Sequence, residues 1–154
     1  MDNTPLKVGD KAPEFELMNQ DKTKIKLSDL LGKKVVLLFY PMDFSGVCTT
    51  ELCAFSAGIA TIQKDANTVV YGINADHPFS HDAFKKQHKL GYDLLSDPTR
   101  KTLKAYGMWA GEEPYNCSKR GEVVIGKDGK IAAWQEVPMK DPRTAEQVAK
   151  VAGA

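Results

Sequence analysis

The sequence predicts an α/β fold with a mixed central sheet covered by helices on both faces, and three observations carry that prediction. Residues 35–40 and 69–74 (VVLLFY and VVYGIN) are short apolar runs without polar alternation, the pattern of strands buried on both sides. Each run is followed by a stretch with helical spacing, which implies parallel strands joined by crossover helices. Near the C-terminus, residues 123–125 and 131–134 flank Lys127-Asp128-Gly129-Lys130, a hairpin turn that adds antiparallel pairing. The pattern does not order the strands.

Taken along the chain, residues 1–12 are a polar lead. Phe15 and Leu17, then Ile25 and Leu27, alternate with polar residues around Gln20-Asp21-Lys22 and read as a short hairpin. Ser28 is placed to cap a brief helical turn that Gly32 ends. After the 35–40 strand, a helix is expected from Val47 to about Asp65, with Leu52, Phe55, Ile59 and Ile62 along one face. Pro78 and Ser80 open a helix to about Lys89 that buries Phe84, and Leu94-Leu95 mark a short strand. Asp97-Pro98 begins a helix ending near Gly107, residues 108–119 are loop-like, and Asp141-Pro142 starts the last helix. Internal repeats and low-complexity tracts are absent from the sequence.

A length of 154 residues suits a single domain, residues 1–154, with one substantial core. The 21 Lys and Arg nearly balance 20 Asp and Glu, so nothing in the net charge of +1 points to nucleic acid or an anionic membrane as partner. The N-terminal stretch MDNTPLKVGDKAPEF has no apolar signal-peptide region, and a cytoplasmic location is expected. Three cysteines are too few for a disulfide scaffold and leave one unpaired. In a reducing compartment a close pair is catalytic more often than structural.

That pair is Cys48 and Cys53. Pro41 stops the 35–40 strand, Met42 to Gly46 form a turn, and a helix begins at about Val47, so Cys48 lies in a first helical turn just beyond the carboxyl end of a buried strand. Unpaired N–H groups at a helix N-terminus favour an anion, and the thiolate is the nucleophilic form of cysteine. Sites in open α/β sheets also gather at the carboxyl ends of strands. The plain alternative is a small buried hydrophobe.

The run Pro41-x-x-x-Ser45-x-x-Cys48 resembles the active-site signature of the peroxiredoxins, thiol peroxidases with a thioredoxin-like fold: Pro, three residues, Thr or Ser, two residues, Cys. The resemblance extends from Gly9-Asp10-Lys11-Ala12-Pro13-Glu14-Phe15 to the final helix. Cys53 resembles the resolving cysteine of the bacterioferritin-comigratory (PrxQ) branch, although related one-cysteine-type branches also carry cysteine there.

The resemblance implies the thioredoxin-like arrangement of the sheet. It also implies a peroxidase acting on hydrogen peroxide and organic hydroperoxides through a Cys48 sulfenic acid, resolved by a disulfide with Cys53. Electrons would return from a thioredoxin-like or glutaredoxin-like protein. No cofactor or metal is required, no nucleic acid or membrane partner is expected, and the chain would act as a monomer or homodimer.

Under the same resemblance, Pro41 would shield the sulfur from water, and otherwise it only ends a strand. Ser45 would offer its hydroxyl to the peroxide, or cap the helix, or both. The family more often has Thr here, whose methyl stiffens the rotamer. Arg120, at the start of a late strand, matches the family's active-site Arg, a planar permanent cation able to hold thiolate and peroxide oxygens together. The family often has an aromatic residue three places after this Arg and Asp six after; this chain has Val123 and Gly126, and Lys119 is the rival cation. Glu51 matches a family carboxylate and equally an exposed first-turn Glu favoured by the helix dipole.

Arg100 and Arg143, at helix starts, read as solvated surface charges. His77, His81 and His88 lack metal-site spacing and read as surface histidines. Cys117 reads as a packing or accessory thiol and remains a candidate partner for Cys48. Two further classes stay open: a thioredoxin-type disulfide oxidoreductase, which expects C-x-x-C where this chain has C-x4-C, and a redox-sensing or chaperone-like module.

Overall fold

In the computed structural model, which describes residues 3–153, a seven-stranded sheet runs in the order β2-β1-β5-β4-β3-β6-β7. The strands are β1 (Glu16–Met18), β2 (Lys24–Lys26), β3 (Lys34–Phe39), β4 (Thr68–Asn74), β5 (Asp93–Ser96), β6 (Arg120–Ile125) and β7 (Ile131–Val137). β3, β4 and β5 are mutually parallel; β6 and β7 add antiparallel on one side, and β1 with β2 on the other. The helices are α1 (Gly46–Ala57), α2 (Ile59–Gln63), α3 (Pro78–His88), α4 (Lys101–Ala105) and α5 (Ala145–Ala152). This is the mixed, doubly covered sheet of a thioredoxin-like fold.

The two-sided burial expected of the 35–40 run follows from the two-residue strand period. Val35, Leu37 and Phe39 enter one hydrophobic cluster with Leu17, Ile73, Leu103 and Val123. Val36, Leu38 and Tyr40 enter the other with Leu52 and Phe55 of α1, Phe84 of α3 and Val148 of α5. Each fully buried aliphatic or aromatic side chain contributes on the order of 1.5–3 kcal/mol, so β3 is the energetic spine as well as the topological one.

Several boundaries differ from the sequence reading, each for a local reason. The expected 47–65 helix breaks at Gly58, because α5 packs onto that backbone: a Cβ on Gly58 would lie 2.4 Å from the Ala145 Cβ. Ser28 lies inside a short 3-10 turn, Leu27–Leu30, and caps nothing; Lys26 is the residue before it. The 97–107 helix starts only at Lys101, since the Asp97 carboxylate reaches past the turn to the Leu103 N–H at 2.7 Å. The last helix starts at Ala145 rather than at Asp141-Pro142, because Thr144 and Gln147 form a reciprocal capping box. Residues 108–119 are a loop closed by a bridge between Trp109 and Ser118. Among the described residues, no helix is long and apolar enough to cross a membrane.

Candidate active site

The carboxyl end of β3 gathers every element of the site. β3 ends at Phe39, and Tyr40 and Pro41 lead into the turn that starts α1. The antiparallel register pairs Phe39 with Gly121, which sets Arg120 at the same end of the sheet. Along β6 the two-residue period then decides direction. Val123 and Ile125 face one cluster and Val124 the other, so Arg120 and Glu122 share the α1-facing side with Val124.

Ser45 is the N-cap of α1, and its Oγ accepts from the Cys48 N–H at 3.3 Å. The first intrahelical bond runs from Thr49 N–H to Ser45 O at 2.8 Å, so Gly46 and Val47 carry N–H groups that no turn of α1 satisfies. Cys48 is fully buried, yet Arg120 Nη2 stands 3.0 Å from its Sγ. A guanidinium N–H at that distance is a charge-assisted donor to a thiolate.

Behind the arginine runs a chain of alternating charges. Arg120 Nη1 donates to Glu51 Oε1 at 2.5 Å, and Arg120 Nε donates to the Met139 carbonyl at 3.1 Å. Arg143 holds the same carboxylate through its backbone N–H (2.7 Å), Nε (2.9 Å) and Nη2 (3.0 Å). Its Nη1 pairs with Glu122, and Nη2 also donates to the Phe39 carbonyl at 3.2 Å. Burial alone would lower the Arg143 guanidinium, but bonds to Glu51 and Glu122 hold it above its usual range. Burial pushes the Glu122 carboxyl up against the pull of Arg143. Removing one partner from such a buried network leaves an uncompensated charge, at a cost of about 3–5 kcal/mol.

The structure thus brings Pro41, Ser45, Cys48, Glu51 and Arg120 together and corrects three readings. Arg143 is no surface charge: it is 5% exposed and part of the network. Its signal was faint, lying in a proline-flanked loop far along the chain. Arg100 is half-buried; it donates to the carbonyls of Pro98 (2.5 Å) and Asn116 (2.9 Å) and so ties down the 108–119 loop. His81 is fully buried against Asp43, not solvated. Glu51, read either way in the sequence, is fully buried. Glu122 was missed, although a Glu two residues after the Arg within an apolar strand must share its inward face. The rival cation Lys119 points elsewhere, 3.3 Å from Glu136. Among the described residues, no group of three or more His, Cys, Asp or Glu is arranged to hold a metal ion.

A cavity of about 420 Å³ opens beside this centre. Pro41, Met42, Val47, Pro114, Tyr115, Cys117 and Met139 line it together with the polar Ser45, Glu113, Asn116 and Arg120. Two of those polar residues, Ser45 and Arg120, also bond to Cys48. The Cys117 thiol is pushed up by burial first and by the neighbouring Cys48 charge second. Cys53 is half-buried within the same unbroken α1 as Cys48, and burial pushes its thiol up. All three cysteines are free thiols.

The fold and this centre define a thioredoxin-like protein that sets a buried cysteine against an arginine. The AhpC/TSA family model matches residues 8–134. Peroxiredoxin Bcp of Bacillus subtilis is 35% identical over 142 residues, covering 88% of this chain and 89% of that one. The chloroplast 2-Cys peroxiredoxin BAS1 of Spinacia oleracea is 40% identical over 141 residues, covering 84% of this chain and 52% of that one. The chain therefore spans about half the length of such BAS1 relatives. Among solved structures, AhpC of Enterococcus faecalis superposes with a TM-score of 0.86 at 27% identity, over 97% of this chain and 92% of its own. The chain belongs to the AhpC/TSA family.

Proposed function

We propose that this chain is a thiol-dependent peroxidase that reduces hydrogen peroxide and organic hydroperoxides. The observation that carries the reading is the buried Cys48 sulfur in the first turn of a helix with Arg120 Nη2 at 3.0 Å, beside a cavity that Ser45 and Arg120 line. The Cys48 thiolate attacks one peroxide oxygen. The O–O bond breaks, the other oxygen leaves as hydroxide or alkoxide and takes a proton, and Cys48 becomes a sulfenic acid. Arg120 and the Ser45 hydroxyl align the peroxide and stabilise the charge on the departing oxygen, while Pro41 keeps bulk water from the sulfur. The apolar residues lining the cavity suit the carbon group of an organic hydroperoxide.

Cys53 then attacks the sulfenic sulfur, the hydroxyl leaves as water, and a disulfide forms. A thioredoxin-like or glutaredoxin-like dithiol returns the two electrons. In a regular helix, residues five apart are separated by about 8.6 Å between Cα atoms and point roughly 140° apart. A disulfide tolerates at most about 7 Å, so the start of α1 must unwind before Cys53 can act. The sparse cysteines, three in 154 residues, support a reducing, cytoplasmic setting.

Stopped-flow fluorescence, using Trp109 and Trp134, tests the reading. The first phase should be proportional to peroxide concentration. The second should be independent of peroxide and should quicken as pH rises, because the Cys53 thiol, held up by burial, must ionise to attack. Peroxide turnover should be sustained only when a thioredoxin or glutaredoxin system is supplied. Absence of any peroxide-dependent phase would reject the function.

A further inference from the structure

The turn that delivers Ser45 into α1 is held from behind by a buried cluster that touches none of the reacting atoms. The Asp43 carboxylate collects donors from three elements. Tyr40 OH at the end of β3 (2.6 Å) and Asn74 Nδ2 at the end of β4 (3.3 Å) reach Oδ1. Ser80 Oγ and His81 Nδ1 in α3, both at 2.7 Å, reach Oδ2. The Asp43 N–H in turn donates to Asp76 Oδ2 at 2.7 Å. Burial pushes the Asp43 carboxyl up, but the bonds from His81, Tyr40 and Ser80 and the His81 charge hold it below its usual range.

His81 is fully buried, and both of its ring nitrogens face acceptors. The Leu95 carbonyl, 3.0 Å from Nε2, can only accept, so Nε2 carries a hydrogen. Nδ1 stands 2.7 Å from the Asp43 carboxylate. His81 is therefore pinned through both ring nitrogens, between Asp43 and β5. The turn it secures does not hold itself: Phe44, next to Asp43, sits at φ +68°, a left-handed conformation that persists in a non-glycine residue only where the surroundings over-determine it.

We propose that His81, acting through Asp43, is a positioning residue for the thiol chemistry, setting the 41–45 turn so that Ser45 stands beside the Cys48 sulfur and Arg120. The proposal rests on Cys48 being the attacking thiol. The placement is specific to peroxide, because aligning an O–O bond needs Ser45 in register, whereas alkylation needs only an accessible thiolate.

The test compares oxidation of Cys48 by hydrogen peroxide with its alkylation by iodoacetamide, read on the Cys48 peptide, in wild type, His81→Phe and His81→Asn. In His81→Phe, peroxide oxidation should slow on the order of 10- to 100-fold, the cost of a small misplacement, while alkylation is unchanged or faster. His81→Asn, which keeps an N–H for Asp43, should recover most of the peroxide rate. Peroxide and alkylation rates that fall together, or a folded His81→Phe with the wild-type peroxide rate, would overturn the proposal. Should His81→Phe not fold, Asp43→Asn, which removes the charge that gathers the donors around the turn, carries the comparison: a selective loss of peroxide rate supports positioning, and its absence refutes it. A wild-type Cys48 that peroxide oxidises no faster than a free thiol would instead reject the peroxidase reading itself.

Discussion

Cys48→Ser is expected to consume no peroxide above the uncatalysed background, in an assay of peroxide loss with a thioredoxin system present, while still folding. The hydroxyl of serine does not ionise beside an arginine at neutral pH, so the nucleophile disappears outright. Cys48 is fully buried among Leu38, Leu52 and their neighbours, and exchanging sulfur for oxygen there costs about 1 kcal/mol, the usual size of a point substitution. The thermal transition should accordingly fall only modestly. Wild-type peroxide consumption by a folded Cys48→Ser would place the chemistry at another thiol.

The second large effect is expected at Arg120. Arg120→Met removes the donor 3.0 Å from the sulfur, yet it leaves Glu51 held by three bonds from Arg143. Glu51 thus stays bonded, but Arg143 alone then faces two buried carboxylates, so a stability loss of about 3–5 kcal/mol accompanies the chemical loss and rates are read on folded protein. Peroxide oxidation of Cys48 should slow on the order of 10²–10³-fold, the scale seen when one preorganised donor to a developing charge is removed. Arg120→Lys should restore little, because an ammonium cannot span both the sulfur and Glu51 as a planar guanidinium does. An unchanged peroxide rate in Arg120→Met would leave the helix start as the sole activator.

What the sequence disclosed, and what it hid, divide along the range of the interactions. The strand at 35–40 was legible on both faces because each of its residues is apolar and the period of two sorts them without further information. The Cys48 turn was legible because Pro41, Ser45 and Cys48 lie within eight residues. Arg120 was legible only through the family resemblance, which sets an arginine at the start of a late strand, and adjacent Lys119 stayed its rival. Hidden were the partners that reach the site from distant segments. Arg143 meets Glu51 across 92 residues, and His81 meets Asp43 across 38, so no local spacing records either bond. Both residues look solvated by type, since a lone Arg or His in a polar stretch is ordinarily exposed. Glu122 was recoverable in principle: once Arg120 faces inward, so must the residue two places on, and a buried Glu demands a cation. Helix starts slipped where a later residue supplied the cap, as at Thr144, and where the turn after the expected cap stays non-helical, as from Asp97 to Arg100.

The measurement closest to the core of this account is a disulfide map of the dithiol protein quenched after one equivalent of hydrogen peroxide, with hydrogen exchange read over residues 47–55 in the same sample. The account predicts a Cys48–Cys53 link and a strong rise in exchange over 47–55, because the bond cannot form across an intact α1. A Cys48–Cys117 link with residues 47–55 still protected would contradict it and make the cavity-wall thiol the resolving one.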